Sequence, residues 1–84
     1  MEIEIAFEDV KDELATAIQN FPSFYSPHDG LAIIWEEFEE LKQEVFLSPK
    51  KRNYHRMRIE AMQLAAMAIR FMVEICDDEI ERVK

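Results

Sequence analysis

One glycine, Gly30, and three prolines, Pro22, Pro27 and Pro49, are all the backbone punctuation in 84 residues. So few breaks leave little material for the tight turns of a many-stranded sheet and favour a few long helices. The breaks also cluster, with Pro22, Pro27 and Gly30 in one connection and Pro49 in another. The expectation is an all-α fold, a helical bundle of three main helices forming a single domain over residues 1–84.

Helical periodicity supports that division. Phe7, Val10, Leu14, Ile18 and Phe21 recur at three- and four-residue steps, which predicts an amphipathic first helix ending near Asn20, before Pro22. Its opening, MEIEIAF, alternates with period two and also fits a short strand, but no partner strand is visible, so a frayed helix start is expected. FPSFYSPHDG follows as a connection rich in turn formers. The second helix is expected to begin near Pro27 or Asp29, capped by Ser26 or Asp29, and to run to about Phe46. Leu31, Ile34, Trp35, Phe38, Leu41 and Val45 read as its core stripe, which makes Trp35 a core residue rather than a base-stacking one. SPKK, Ser48 to Lys51, reads as an N-cap followed by proline at the first helical position, so a third helix is expected from there almost to the C-terminus. From Met57 to Cys76 that helix is apolar nearly all round, as for a helix enclosed by others. Its methionines, Met57, Met62, Met67 and Met72, read as core filling.

A chain near this size buries only about 60% of its extended surface when it folds alone, yet 49% of its residues are hydrophobic. The excess predicts a bundle completed by oligomerisation, as a dimer or a dimer of dimers, with the second and third helices at the interface. The single cysteine, Cys76, excludes an internal disulfide and reads as a packed free thiol. The richest apolar stretch, Ala61 to Cys76, is interrupted by Gln63, Arg70 and Glu74 and is too short for a membrane span, and the N-terminus has no signal-peptide pattern. No membrane partner and a cytoplasmic location are therefore expected. A formal net charge of -8 argues against nucleic acid as a partner, since binding it relies on neutralising phosphates with Lys and Arg.

The acids are not evenly spread. AIIWEEFEELKQEVF packs Glu36, Glu37, Glu39, Glu40 and Glu44 into one helix, and like charges three and four apart destabilise it. Around the helix, Glu37, Glu40 and Glu44 cluster on a flank bordering the apolar stripe, with Glu36 beside them and Glu39 on the other side. A solvated face is the plain reading. On the third helix Glu60, Gln63, Arg70, Glu74 and Asp77 lie near one stripe, readable as a solvated edge. If the two helices pair antiparallel, however, Glu37 and Glu40 come level with Glu60 and Gln63. Three carboxylates and an amide oxygen then converge, an all-oxygen environment suited to Mg²⁺ or Mn²⁺.

From His28 onward the sequence resembles the all-α nucleoside triphosphate pyrophosphohydrolases, the MazG-like and dUTPase-like group. Glu36-Glu37-Phe38-Glu39-Glu40 matches that group's Glu-Glu-x-x-Glu motif, and Glu60 starts its second motif, Glu-x-x-Asp. SPHDGLAIIWEEFEEL and RIEAMQLAAMAIRFM look especially like the short MazG-like proteins of phages and archaea. The resemblance implies an all-α NTP pyrophosphatase-like fold, with Glu36, Glu37, Glu40 and Glu60 as Mg²⁺ ligands and catalytic residues. It also implies hydrolysis of a nucleoside triphosphate between the α and β phosphates, giving a monophosphate and pyrophosphate. The departure is Gln63, where the second motif has aspartate; glutamine offers an oxygen but neither charge nor basicity. Glu74-Ile75-Cys76-Asp77 also fits the second motif, but lies about 20 Å along the helix from Glu60 at the helical rise, within reach only of another subunit's acids.

Lys50, Lys51, Arg52, His55, Arg56 and Arg58 form a basic segment that reads either as solvated charge or as a contact for triphosphate oxygens. Arg56 is the candidate nearest the acidic level, and with Gln63 it completes the expected substrate-binding set. His28 reads as a capping or turn residue, or else a functional one. Two functions are compatible with the sequence: a Mg²⁺-dependent pyrophosphohydrolase, or a catalytically lapsed helical oligomer acting as a nucleotide-binding or protein-interaction module.

Overall fold

A computed structural model describes residues 2–83, which form helices joined by two short connections, with no strand among the described residues. Helix α1 spans Ile3–Asn20, so the alternating opening is helical from Ile3 onward; its Met1 lies outside the described residues. The helix stops before Pro22, and the Phe21 amide donates back to the Ala17 carbonyl at 2.9 Å. Helix α2 spans Pro27–Val45. Ser26 is its cap, accepting from the Asp29 amide at 3.0 Å, while the Asp29 carboxylate accepts from the Tyr25 amide at 3.2 Å. Pro27 fills the first helical position, where a missing N–H costs nothing.

The third helix begins later than the SPKK reading expected. Ser48 to Lys51 form a turn closed by the Lys51 amide on the Ser48 carbonyl at 2.9 Å, and α3 spans Tyr54–Phe71. Asn53 is the cap: its side-chain oxygen accepts from the amides of both His55 and Arg56, at 3.0 and 3.1 Å. Two of the four orphan amides of the first turn are thereby satisfied. Lys50, Lys51 and Arg52 stay ahead of the helix, outside its positive end. The helical path then continues through a π-turn, Met72–Asp77, where the Asp78 amide reaches back five residues to the Val73 carbonyl, into a short α4, Asp78–Arg82.

Helix α3 is central, and both α1 and α2 pack on it. The core is small: Ala17, Phe24, Ala66 and Met67 are buried, with Val10, Leu14, Ile33, Ile34, Phe71 and Ile75 packed around them. Gly30 sets the contact between α2 and α3. A Cβ there would lie 2.7 Å from Phe71 Cδ2 and 2.9 Å from Phe24 Cδ2, so only glycine lets both rings seat against the helix.

This contact rotates α2 away from the expected orientation. Gly30, Ile33, Ile34 and Leu41 turn inward, whereas Leu31, Trp35, Phe38 and Val45 remain 53%, 62%, 49% and 40% exposed. Trp35 is therefore not a core residue of the chain. Nor is the expected third helix enclosed on all sides, because Ile59 and Ile69 of α3 and Met72 and Val73 of the π-turn are exposed. Cys76 is exposed as well, and of the methionines read as core only Met67 is buried.

Arg70 and Glu74 form a buried knot in place of a solvated edge. The Arg70 side chain, 3% exposed, ion-pairs with Glu74 at 2.7 Å. It also donates to the carbonyls of Ala17, Phe21 and Pro22, and it stacks over the Phe24 ring at 5.2 Å. Glu74 in turn accepts from the Phe24 amide at 2.8 Å. The end of α1 and the connection to α2 are thus held by one guanidinium, whose planar fork suits several carbonyls at once.

Candidate metal centre

The inward rotation of α2 carries its glutamates toward α3. At 100° per residue, Glu37 and Glu44 fall on the same side as Gly30 and Leu41, with Glu40 at the margin. Antiparallel pairing about the turn at Ser48 brings Glu60 to the same height. The outcome is a group of three, Glu37, Glu40 and Glu60, each offering an oxygen within 4.8 Å of the others. Two unit charges at that distance repel by about 3.5 kcal/mol at an effective dielectric constant of 20. Two helices therefore hold together carboxylates that repel when ionised.

The electrostatics follow from that geometry. Burial pushes the Glu37 carboxyl up to about 7, with further contributions from the charge of Glu40, the charge of Glu60, a hydrogen bond with Glu40 and the charge of Glu36. Glu60 is raised for the same leading reason, then by its hydrogen bond with Glu40 and the charges of Glu40 and Glu44, while Arg56 pulls the other way. Glu40 interacts with both of the others. Glu37 Oε2, Glu60 Oε2 and Glu44 Oε1 are buried oxygens without a hydrogen-bond donor. Buried acceptors normally find a partner. Three such oxygens around one acidic group have the donor chemistry of a hard divalent cation site.

Of the residues singled out in the sequence, Glu37, Glu40 and Glu60 converge. Glu36 is exposed and stands outside the converging three, acting on Glu37 through its charge. Gln63 is half-buried one turn beyond Glu60. Arg56 is exposed and close enough for its charge to act on Glu60. The rest of the basic segment divides. Arg58 is paired with Asp9 of α1 at 2.8 Å, Arg52 donates to the Leu47 carbonyl, and Lys50, Lys51 and His55 are exposed. His28 lies exposed in the first turn of α2.

Glu44 is the residue that motif matching passes over. Its spacing from Glu37 and Glu40, seven and four residues, was the available signal. Glu74, the start of the alternative second motif, is committed to Arg70 and the Phe24 amide. A hollow of about 370 Å³ lies away from the glutamates, lined by Asp9, Asp12, Thr16 and Arg58 among others. No helix among the described residues is long and apolar enough to cross a membrane. Compared with family models, curated proteins and solved structures, the chain matches none.

Proposed function

We propose that the chain is a Mg²⁺-dependent nucleoside triphosphate pyrophosphohydrolase with an NTP pyrophosphatase-like fold, working as a homo-oligomer. The observation that carries this reading is the convergence of Glu37, Glu40 and Glu60 from two helices within 4.8 Å, with buried oxygens that lack donors. Glu37, Glu40 and Glu60 would hold Mg²⁺ or Mn²⁺, with Glu36 and Glu44 adding negative charge at the edges. When bound, the cation offsets the charge of the triphosphate and lowers the pKa of an attacking water.

The remaining tasks fall to the protein's own groups. Attack of water on the α-phosphorus breaks the bond to the bridging oxygen, giving a monophosphate and pyrophosphate. The water's proton needs an acceptor, and the glutamates supply carboxylate oxygens for it. Arg56, exposed and near enough for its charge to act on Glu60, would meet phosphate oxygens. Gln63 can turn its amide N–H groups toward the substrate or its oxygen toward the cation.

The test is pyrophosphate release from a panel of nucleoside triphosphates with and without Mg²⁺. Slow release is expected, lost in Glu37→Ala and Glu60→Ala and unchanged or strengthened in Gln63→Asp. Gln63 also supports a second reading, a lapsed member that binds nucleotide or protein without turnover. Silence of the wild type on every triphosphate, with release gained in Gln63→Asp, would select it.

A further inference from the structure

The basic residues at the start of α3 lack the partners that an acidic chain offers freely. Acids outnumber bases by 18 to 10, and all three arginines outside the start of this segment are ion-paired: Arg58 with Asp9, Arg70 with Glu74 and Arg82 with Glu79. Lys50, Lys51, Arg52 and Arg56 have no ion pair among the described residues. They stand within seven consecutive positions, at and just before the first turn of α3.

The backbone holds these cations where they repel. Closing the turn with the Lys51 amide on the Ser48 carbonyl sets Lys50 and Lys51 side by side, both exposed. Arg52 is fixed beside them, donating from Nη2 to the Leu47 carbonyl at 3.3 Å. Its Nε is buried without an acceptor, and every other buried side-chain atom without a partner among the described residues is a carboxylate oxygen. Positive charge at the amino-terminal end of a helix opposes the helix dipole. An anion seated on the turn relieves the dipole, the repulsion among the cations and the missing acceptor together.

The number and kind of cations select the anion. A guanidinium suits two phosphate oxygens at once and a lysine acts as a mobile point charge, so four such groups in a row match an anion with several charges and many oxygens better than a single phosphate. We infer that Lys50, Lys51 and Arg52, with Arg56, form a binding site for a diphosphate group. Arg56 precedes Glu60 by four residues, about 6 Å of helical rise, and the turn lies farther out in the same direction. A diphosphate on the turn therefore lies end-on to the acidic group. If that group binds a triphosphate as proposed above, the turn takes the β- and γ-phosphates, and the nucleoside points the other way, toward Glu37 and Gln63. This assignment rests on the hydrolase reading, whereas the anion site itself does not.

Calorimetric titration with inorganic pyrophosphate at low ionic strength, in EDTA and again in Mg²⁺, tests the site. Binding is expected, weakened at least tenfold in Arg52→Gln and in Lys51→Gln and unchanged in Lys11→Gln, which removes an exposed cation of α1. Lys51 is exposed and bonded only through its backbone, so its variant keeps the test available if Arg52→Gln fails to fold. In EDTA, ATP should displace pyrophosphate and AMP should not. Absence of pyrophosphate binding in both conditions, wild-type affinity in the folded turn variants, equal weakening in Lys11→Gln, or displacement by AMP or sulfate as readily as by ATP would each overturn the inference. Failure of ATP to compete would overturn the assignment to a nucleotide's phosphates. Pyrophosphate binding that depends on Lys51 and Arg52, without turnover of any triphosphate, would uphold the anion site and refute the hydrolase alone.

Discussion

Taking the metal-free protein from pH 5 to pH 8 forces the Glu37 carboxyl to release a proton that the folded state favours. Its pKa is raised from 4.5 to about 7 by burial and by neighbouring glutamates. The folded state binds this proton more tightly than the unfolded state, so the stabilisation is complete below about pH 4.5 and is lost as pH rises through 7. At 1.36 kcal/mol per pH unit the interval corresponds to about 3 kcal/mol. Glu37 is only half-buried, and solvent screening reduces this to about 1–2 kcal/mol, or about 5–15 °C in Tm for a domain of this size. Glu60 is shifted in the same direction and adds the same sign. Glu37→Gln keeps the shape and removes the titration. Urea unfolding in EDTA, at fixed protein concentration and at several pH values, should show the variant gaining on wild type as pH rises and exceeding it by about 1–2 kcal/mol at pH 8. Mg²⁺ at pH 8 should restore the wild type by mass action and leave the variant nearly unmoved. A wild type that gains stability on the variant between pH 5 and pH 8, or a variant that responds to Mg²⁺ as strongly as wild type, would refute the reasoning.

Three further outcomes follow from the packing. Arg70→Met should cost about 3–5 kcal/mol by chemical unfolding, because it strands Glu74 and removes the donor to three carbonyls. Gly30→Ala should cost about 1–3 kcal/mol by overpacking against Phe71 and Phe24, and a neutral result would mean both rings can move aside. Gln63→Asp should lower the metal-free Tm and enlarge its rise with Mg²⁺; if neither changes, position 63 lies outside the field of the glutamates.

The helices were legible because Gly30 and the prolines mark the connections and because Val10 and Leu14 keep helical spacing toward α3, although Phe7, Ile18 and Phe21 of the same expected stripe are exposed and Ala17, not read as part of it, is buried. The grouping of Glu37, Glu40 and Glu60 was legible from register alone, since an antiparallel pair at a fixed rise puts those positions level. The start of α3 was misjudged because Ser48-Pro49 has the composition of a helix start while Asn53 has the geometry, two amides on one side-chain oxygen. The orientation of α2 was misjudged for a related reason. Hydrophobicity along a helix indicates which face seeks cover but not what covers it, and the small Gly30 side determines how α2 docks on α3. Arg70 was hidden in the same way: a charged residue reads as solvated until the carbonyls of Ala17, Phe21 and Pro22 surround it.

The Arg70 guanidinium joins positions 53, 49 and 48 residues away along the chain. Contacts of such span form late, because a long loop must close before they contribute anything. The last carbonyls of α1 and those of the connection to α2 therefore have this donor only once α3 lies against them, so α1 and α3 stabilise each other as a pair.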